Sequence, residues 1–170
     1  MNKFKIILVS SWLLGASNLL AQGQGCTGNP HFNDFDFWVG EWEVRDKANN
    51  VAGKNVIEKQ LSNCLVMENW QGAKGLVGKS INYFNPLTEK WRQIWVAPGY
   101  VIDIEGGLKK SAMTLVGTID YYNDKQYQFR GTWTPAEDGS VRQFFEQFDA
   151  DEKTWKPWFD GKYVPVKNSN

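Results

Sequence analysis

From Phe37 onward the chain alternates apolar and polar residues with a period of two. No ten-residue stretch carries the 3.6-residue period of an amphipathic helix. The pattern predicts ten strands, over roughly 37–45, 54–60, 64–71, 75–84, 90–97, 100–106, 111–120, 125–134, 140–149 and 154–164. The breaks fall where turn chemistry supports them: Lys47-Ala-Asn-Asn, Asn85-Pro-Leu-Thr, Pro98-Gly99, Asn123-Asp124, Glu137-Asp138-Gly139 and Ala150-Asp-Glu-Lys. Short, evenly spaced strands with short connections make antiparallel neighbours. The expected fold is all-β: one antiparallel up-and-down barrel of about ten strands, which leaves no free edge. A two-sheet sandwich is the alternative. In a barrel one parity of each strand faces the interior and the other faces solvent.

The residues before the strands divide into two parts. Lys3 and Lys5, the apolar run Ile6 to Leu14 and small Ala21 read as a signal peptide over 1–21. An arm over 22–36 follows, in which Pro30-His-Phe-Asn-Asp-Phe forms a short 3-10 turn capped by Asn29. The barrel domain is expected over 37–166, with a tail over 167–170. It opens on Phe35 to Val44, FDFWVGEWEV. There Gly40 lets the backbone pass tightly across the barrel end, and Trp42 supplies about 200 Å² of apolar surface to cover it. Glu41 shares the parity of Phe37 and Val39 and is a candidate inward group.

Loss of the leader removes Lys3 and Lys5, leaving about 17 basic residues against 19 acidic ones. There is no basic stripe, so nucleic acid is not an expected partner. The expected location is exported, periplasmic or secreted, with no membrane anchor: Gln24 is the wrong residue two places before a lipidated Cys26. In an oxidising compartment the two cysteines, Cys26 and Cys64, are expected to form a disulfide that ties the arm to a strand.

Nine Trp, ten Phe and six Tyr are too many for chance surface positions. Because the tryptophans lie within strands, most are expected in the barrel core and floor rather than on a sugar-stacking platform. His31 is the single histidine and sits in the arm, which argues against a Ser-His-Asp triad, a His-metal cluster or a general-base His in the barrel. No cofactor or metal is expected.

The polar residues set into aromatic strands are the candidate chemistry. Trp91, Gln93 and Trp95 share one face of their strand. Glu68 stands between Met67 and Trp70, Ser80 follows Gly78-Lys79, and Tyr163 lies in the last strand. Arg130 shares parity with Thr132 and Thr134, opposite Phe129 and Trp133, while Arg142, Phe144, Glu146 and Phe148 share another face. Strands eight to ten are neighbours in a meander, so Arg130, Arg142, Glu146 and Tyr163 can converge. Either the arginines and Glu146 form cross-strand pairs on the outer wall, or Arg130 and Glu146 face inward, bonded to each other and to Gln93 or Tyr163. The candidate ligand-binding set is Glu68, Gln93, Trp95, Arg130, Trp133, Arg142, Glu146 and Tyr163.

FDFWVGEWEV, Met67-Glu-Asn-Trp, Lys90-Trp-Arg-Gln-Ile-Trp-Val, Phe129-Arg-Gly-Thr-Trp-Thr, Val141-Arg-Gln-Phe-Phe-Glu and Phe159-Asp-Gly-Lys-Tyr together resemble a DUF1579-like family of exported bacterial proteins of unknown function. The resemblance implies a lipocalin-like, calycin barrel, with Lys162 as the last-strand base that would pack on Trp42. Nitrobindin-like ten-stranded barrels are similar in strand number, but bind haem through a His near the C-terminus, where this chain has none. The leading expectation is a barrel, monomer or homodimer, that binds a small hydrophobic or amphipathic molecule, one whose acidic group would meet Arg130 or Arg142. The alternatives are an isomerase, cyclase or hydrolase using Glu146 or Glu68 as acid/base, with Arg130 or Tyr163 stabilising charge, and a structural module without a ligand.

Overall fold

Ten strands account for the alternating pattern: β1 Gly40–Arg45, β2 Val51–Gln60, β3 Leu65–Gly72, β4 Val77–Asn85, β5 Lys90–Ala97, β6 Tyr100–Lys109, β7 Ala112–Tyr121, β8 Lys125–Pro135, β9 Val141–Asp149 and β10 Thr154–Pro165. The computed structural model describes residues 26–166. The expected leader, the first residues of the arm and the tail lie outside the described residues. Every strand pairs antiparallel with its sequence neighbour, and β1 closes the barrel against β10, with Trp42 opposite Pro165 and Val44 opposite Tyr163. Closure satisfies both edges of the sheet and excludes the sandwich.

β2 begins three residues before its expected start and β6 ends three residues after its expected end, and the start of β1 differs in kind. The residues expected to begin the first strand form a 3-10 turn instead, Asp36–Trp38, after a first turn over Pro30–Asn33. As expected, Asn29 caps the first turn, its side chain accepting from the His31 N–H at 3.0 Å. In a 3-10 turn residues three apart stand over one another, so Phe35 and Trp38 stack, with ring centroids 4.9 Å apart. Gly40, at φ +149°, then turns the chain into β1. A strand over 37–39 would have separated the two rings.

This stacked pair is the floor of the barrel. Phe35 meets Trp91 and Trp133 edge-on at 5.6 and 5.1 Å, Phe32 meets Phe84 at 5.3 Å, and Trp38 and Phe35 are fully buried. Such edge-to-face pairs contribute about 0.5–1.5 kcal/mol each beyond the area they bury. Two indole N–H groups fasten the plug: Trp91 Nε1 donates to the His31 carbonyl and Trp42 Nε1 to the Trp38 carbonyl, both at 3.0 Å. The Cys26–Cys64 disulfide joins the arm to the β2–β3 turn, at the same end of the barrel.

Inside, the alternation sorts residues by chemistry. Asn55, Glu68, Ser80, Asn82 and Gln93 face inward from β2 to β5, whereas β6 to β8 contribute Ile102, Ile104, Met113, Leu115, Ile119 and Phe129. The buried polar side chains of β2 to β5 stand among Ile57, Val66, Phe84, Trp91 and Trp95, while the buried side chains of β6 to β8 are all apolar. Glu41 is exposed while Trp42 is buried, so the inward reading of Glu41 is corrected by the late start of β1.

Candidate functional site

The floor fills one end of the barrel, and the opposite end holds a cavity of about 120 Å³. Its base is made by Glu68, Gln143 and Tyr163, its side by Trp95, Ile102 and Phe145, and its rim by Trp70, Leu76, Tyr100, Trp158 and Phe159. Leu76, 42% exposed, marks the mouth. Backbone economy makes the room. A Cβ on Gly78 would lie 2.2 Å from Trp95, and one on Gly53 would lie 2.8 Å from Trp70, so both indoles lie flat against glycine backbone.

A β-bulge shapes the rim. The β9–β10 register shifts between Pro157 and Phe159, so the consecutive residues Trp158 and Phe159 both turn toward the cavity. Trp158 is held there by its Nε1 donating to Tyr121 Oη at 3.0 Å, and Tyr121 Oη in turn donates to Gln147 Oε1 at 2.9 Å. Its ring meets Tyr100 edge-on, with centroids 5.4 Å apart.

At the base the polar side chains form one network. Glu68 Oε1 accepts from Asn55 Nδ2 at 2.7 Å, and Oε2 accepts from Ser80 Oγ at 2.6 Å. Asn82 Nδ2 donates to Ser80 Oγ at 2.9 Å, and Gln93 Nε2 donates to Asn82 Oδ1 at the same distance. Asn55 Nδ2 also reaches Tyr163 Oη at 3.2 Å, and the Tyr163 hydroxyl donates to Gln143 Oε1. Burial pushes the Glu68 carboxyl up to about 7 despite the Ser80 and Asn55 bonds that pull it down. The same burial, with the Glu68 charge beside it, raises the Tyr163 hydroxyl well above its ordinary range. Asn55 Oδ1 and Gln93 Oε1 are buried and have no hydrogen-bond partner.

The expected ligand-binding set divides three ways. Glu68, Trp95 and Tyr163 line the cavity, and Gln93 stands behind it in the network. Trp133 belongs to the floor, against Phe35 and Trp38. Arg130, Arg142 and Glu146 lie on the outer wall, which is the cross-strand alternative of the two and corrects their place in the ligand-binding set and their convergence with Tyr163. Phe129, Gly131 and Trp133 face inward on β8, as do Val141, Gln143 and Phe145 on β9. Strict alternation therefore turns the three charged residues out.

On the outer wall Arg130 donates Nε and Nη2 to Glu146 at 2.6 and 2.9 Å and stacks over Trp155 at 4.5 Å. Arg142 does the same with Asp160, at 2.8 and 2.7 Å, over Phe144. Among the described residues that line the cavity there is therefore no base to meet an acidic ligand group. Lys162 pairs with Asp138 at 2.9 Å rather than packing on Trp42, whose ring meets Tyr163. His31 stacks on Phe84 and bonds Asp34, away from the cavity.

Asn55, Asn82 and Gln143 complete the network and were missed by sequence reasoning. The signal was present: each is a polar residue at the inward parity of its strand, as in Val141-x-Gln143-x-Phe145. Among the described residues no cluster of His, Cys, Asp or Glu could hold a metal ion, and no helix is long and apolar enough to cross a membrane.

The fold and the site together define a closed ten-stranded β-barrel, plugged at one end and hollow at the other, with the buried Glu68 carboxylate at the base of a largely aromatic cavity. No known protein-family model matches the chain, and no curated protein matches it either.

Proposed function

We propose that this is an exported binding protein that takes a small, mostly apolar molecule into the hollow end of the barrel, with one polar group of the ligand turned toward Glu68. The observation that carries this reading is the cavity itself. The interior is packed solid at the floor and left open above a carboxylate, where more side-chain volume would have closed it. An apolar protein cavity of about 150 Å³ accepts benzene, so the volume here suits a single ring or a short alkyl chain. Export is supported by the Cys26–Cys64 disulfide. The test is a tryptophan-fluorescence titration of the full chain with toluene and benzyl alcohol, beside an Ile102→Phe variant. Ile102 is fully buried in the cavity wall, so the larger ring should fill the space. Saturable quenching that Ile102→Phe abolishes supports binding in the barrel; equal quenching in both proteins contradicts it.

A second reading has its own observation. Burial poises the Glu68 carboxyl at about 7 beside an open cavity, where it can give or take a proton at neutral pH. The chemistry would be proton transfer at a carbon acid, such as an isomerisation. Deuterium exchange at the α-carbon of a small aryl ketone, lost in Glu68→Gln while binding persists, supports it. Exchange at the buffer rate in the unaltered protein overturns it.

A further inference from the structure

We propose that the ligand group facing Glu68 is a cationic amine, making the barrel interior a site for a small apolar amine. This rests on the reading of the barrel as a binding protein and narrows its ligand to one charge class.

Three observations carry it. The cavity lining contains one carboxylate, Glu68, and no lysine, arginine or histidine. The bases that would welcome an acidic ligand are outside and engaged: Arg130 with Glu146, Arg142 with Asp160 and Lys162 with Asp138. Most of the rest of the wall is aromatic: Trp70, Trp95, Tyr100, Trp158 and Phe159 stand around the space above Glu68, with Leu76 and Ile102 between them and Gln143 at the base. Ring faces carry the negative end of the aromatic quadrupole, so such a cage attracts a cation and disfavours an anion.

The carboxylate also has room for one more donor. Its two oxygens offer about four acceptor sites. Asn55 takes one on Oε1 and Ser80 takes one on Oε2, where Gln93 makes a longer contact at 3.5 Å. A free site therefore remains on Oε1. An ammonium there would neutralise the buried charge, which the neutral donors around it cannot do. The apolar part of the ligand would lie against Ile102 and Phe145, and the cavity volume limits it to one ring or a short chain.

The groups facing Glu68 are Asn55 from β2, Ser80 from β4, Gln93 from β5, and Tyr163 from β10, with the Tyr100 hydroxyl of β6 close enough to feel its charge. Only the two tyrosines titrate, and burial raises both, so Glu68 is the group that changes charge near neutral pH.

Benzylamine, benzyl alcohol and benzoate share a ring and differ in charge. Calorimetric titration of the full chain with each, at about pH 5.5 and about pH 8, separates the possibilities. Benzylamine should bind about tenfold tighter than benzyl alcohol at the higher pH. That preference should shrink at the lower pH, where Glu68 is protonated, and benzoate should not bind. Glu68→Gln should bring amine and alcohol within about twofold. Equal binding of amine and alcohol by the unaltered protein at both pH values, or a preference for benzoate, overturns the amine while leaving the barrel a binding protein. Failure of all three to bind overturns both. The pH series on the unaltered protein decides even where Glu68→Gln does not fold.

Discussion

Ser80 stands directly opposite Glu68 in the β3–β4 ladder and donates its hydroxyl to Glu68 Oε2 at 2.6 Å. The bond joins two inward-facing residues on neighbouring strands, so the sheet register itself aims a donor at the buried carboxylate. With Asn55 on the other oxygen, Glu68 is held from both sides but remains poorly solvated.

This arrangement predicts how stability depends on pH. The carboxyl is raised from 4.5 in the unfolded chain to about 7 in the fold. The folded protein therefore binds the extra proton, and its stability falls as pH rises between those values and levels off above the upper one. The loss is on the order of 3 kcal/mol for a shift of this size. Denaturant titrations across that window should show the decline, and Glu68→Gln should flatten it. Ser80→Ala should cost about 1–3 kcal/mol above neutral pH, where the carboxylate has lost a donor, and less below it.

Gly78→Ala tests the packing of the cavity wall. The new methyl group would lie 2.2 Å from Trp95, so the indole must move toward the open space. A cost of about 1–3 kcal/mol is expected from overpacking, with a blue-shifted tryptophan emission and loss of toluene uptake. Unchanged stability and uptake would show that Trp95 does not rest on Gly78.

The outer wall is expected to be independent of the interior. Arg130 is partly exposed but its partner Glu146 is buried, so Arg130→Ala, which leaves that carboxylate without its ion pair, should cost about 1–3 kcal/mol. Ligand uptake should be unchanged. A large drop in uptake would contradict the assignment of this pair to the outside.

Much of the fold was legible because strand parity is a local property. Alternation groups Trp91, Gln93 and Trp95 on one face and Arg142, Phe144 and Glu146 on another without saying which face is inward, and Pro98-Gly99 and Asn123-Asp124 mark turns by their own chemistry. The site was less legible because it depends on relations between strands. That Asn55 of β2 and Ser80 of β4 meet on one carboxylate of β3 follows from register, which distant contacts fix. The bulge that turns both Trp158 and Phe159 inward breaks the alternation on which the reading relied. The floor differs at one point for a related reason: the first strand is expected from Phe37, yet Phe35 and Trp38 stack three residues apart in a 3-10 turn.

The disulfide should matter most to the floor. It closes a loop across 38 positions of sequence, and a cross-link of that span stabilises by about 4 kcal/mol through the unfolded chain. Cys26→Ser with Cys64→Ser should lower the melting temperature accordingly. Hydrogen exchange should rise first at the amides of the Pro30–Asn33 turn, which the bridge tethers. Uniform exchange across the barrel would contradict a local role for the bridge.

The central claim is that the hollow end above Glu68 admits a small molecule while the floor stays closed. The direct measurement is a ¹H–¹⁵N spectrum of the tryptophan indoles during titration of the full chain with benzyl alcohol. The indole signals of Trp95 and Trp158, at the cavity, should shift saturably, while those of Trp38 and Trp133, buried in the floor, should not. Shifts at the floor indoles alone, or none at any indole up to the solubility of the probe, would contradict the account.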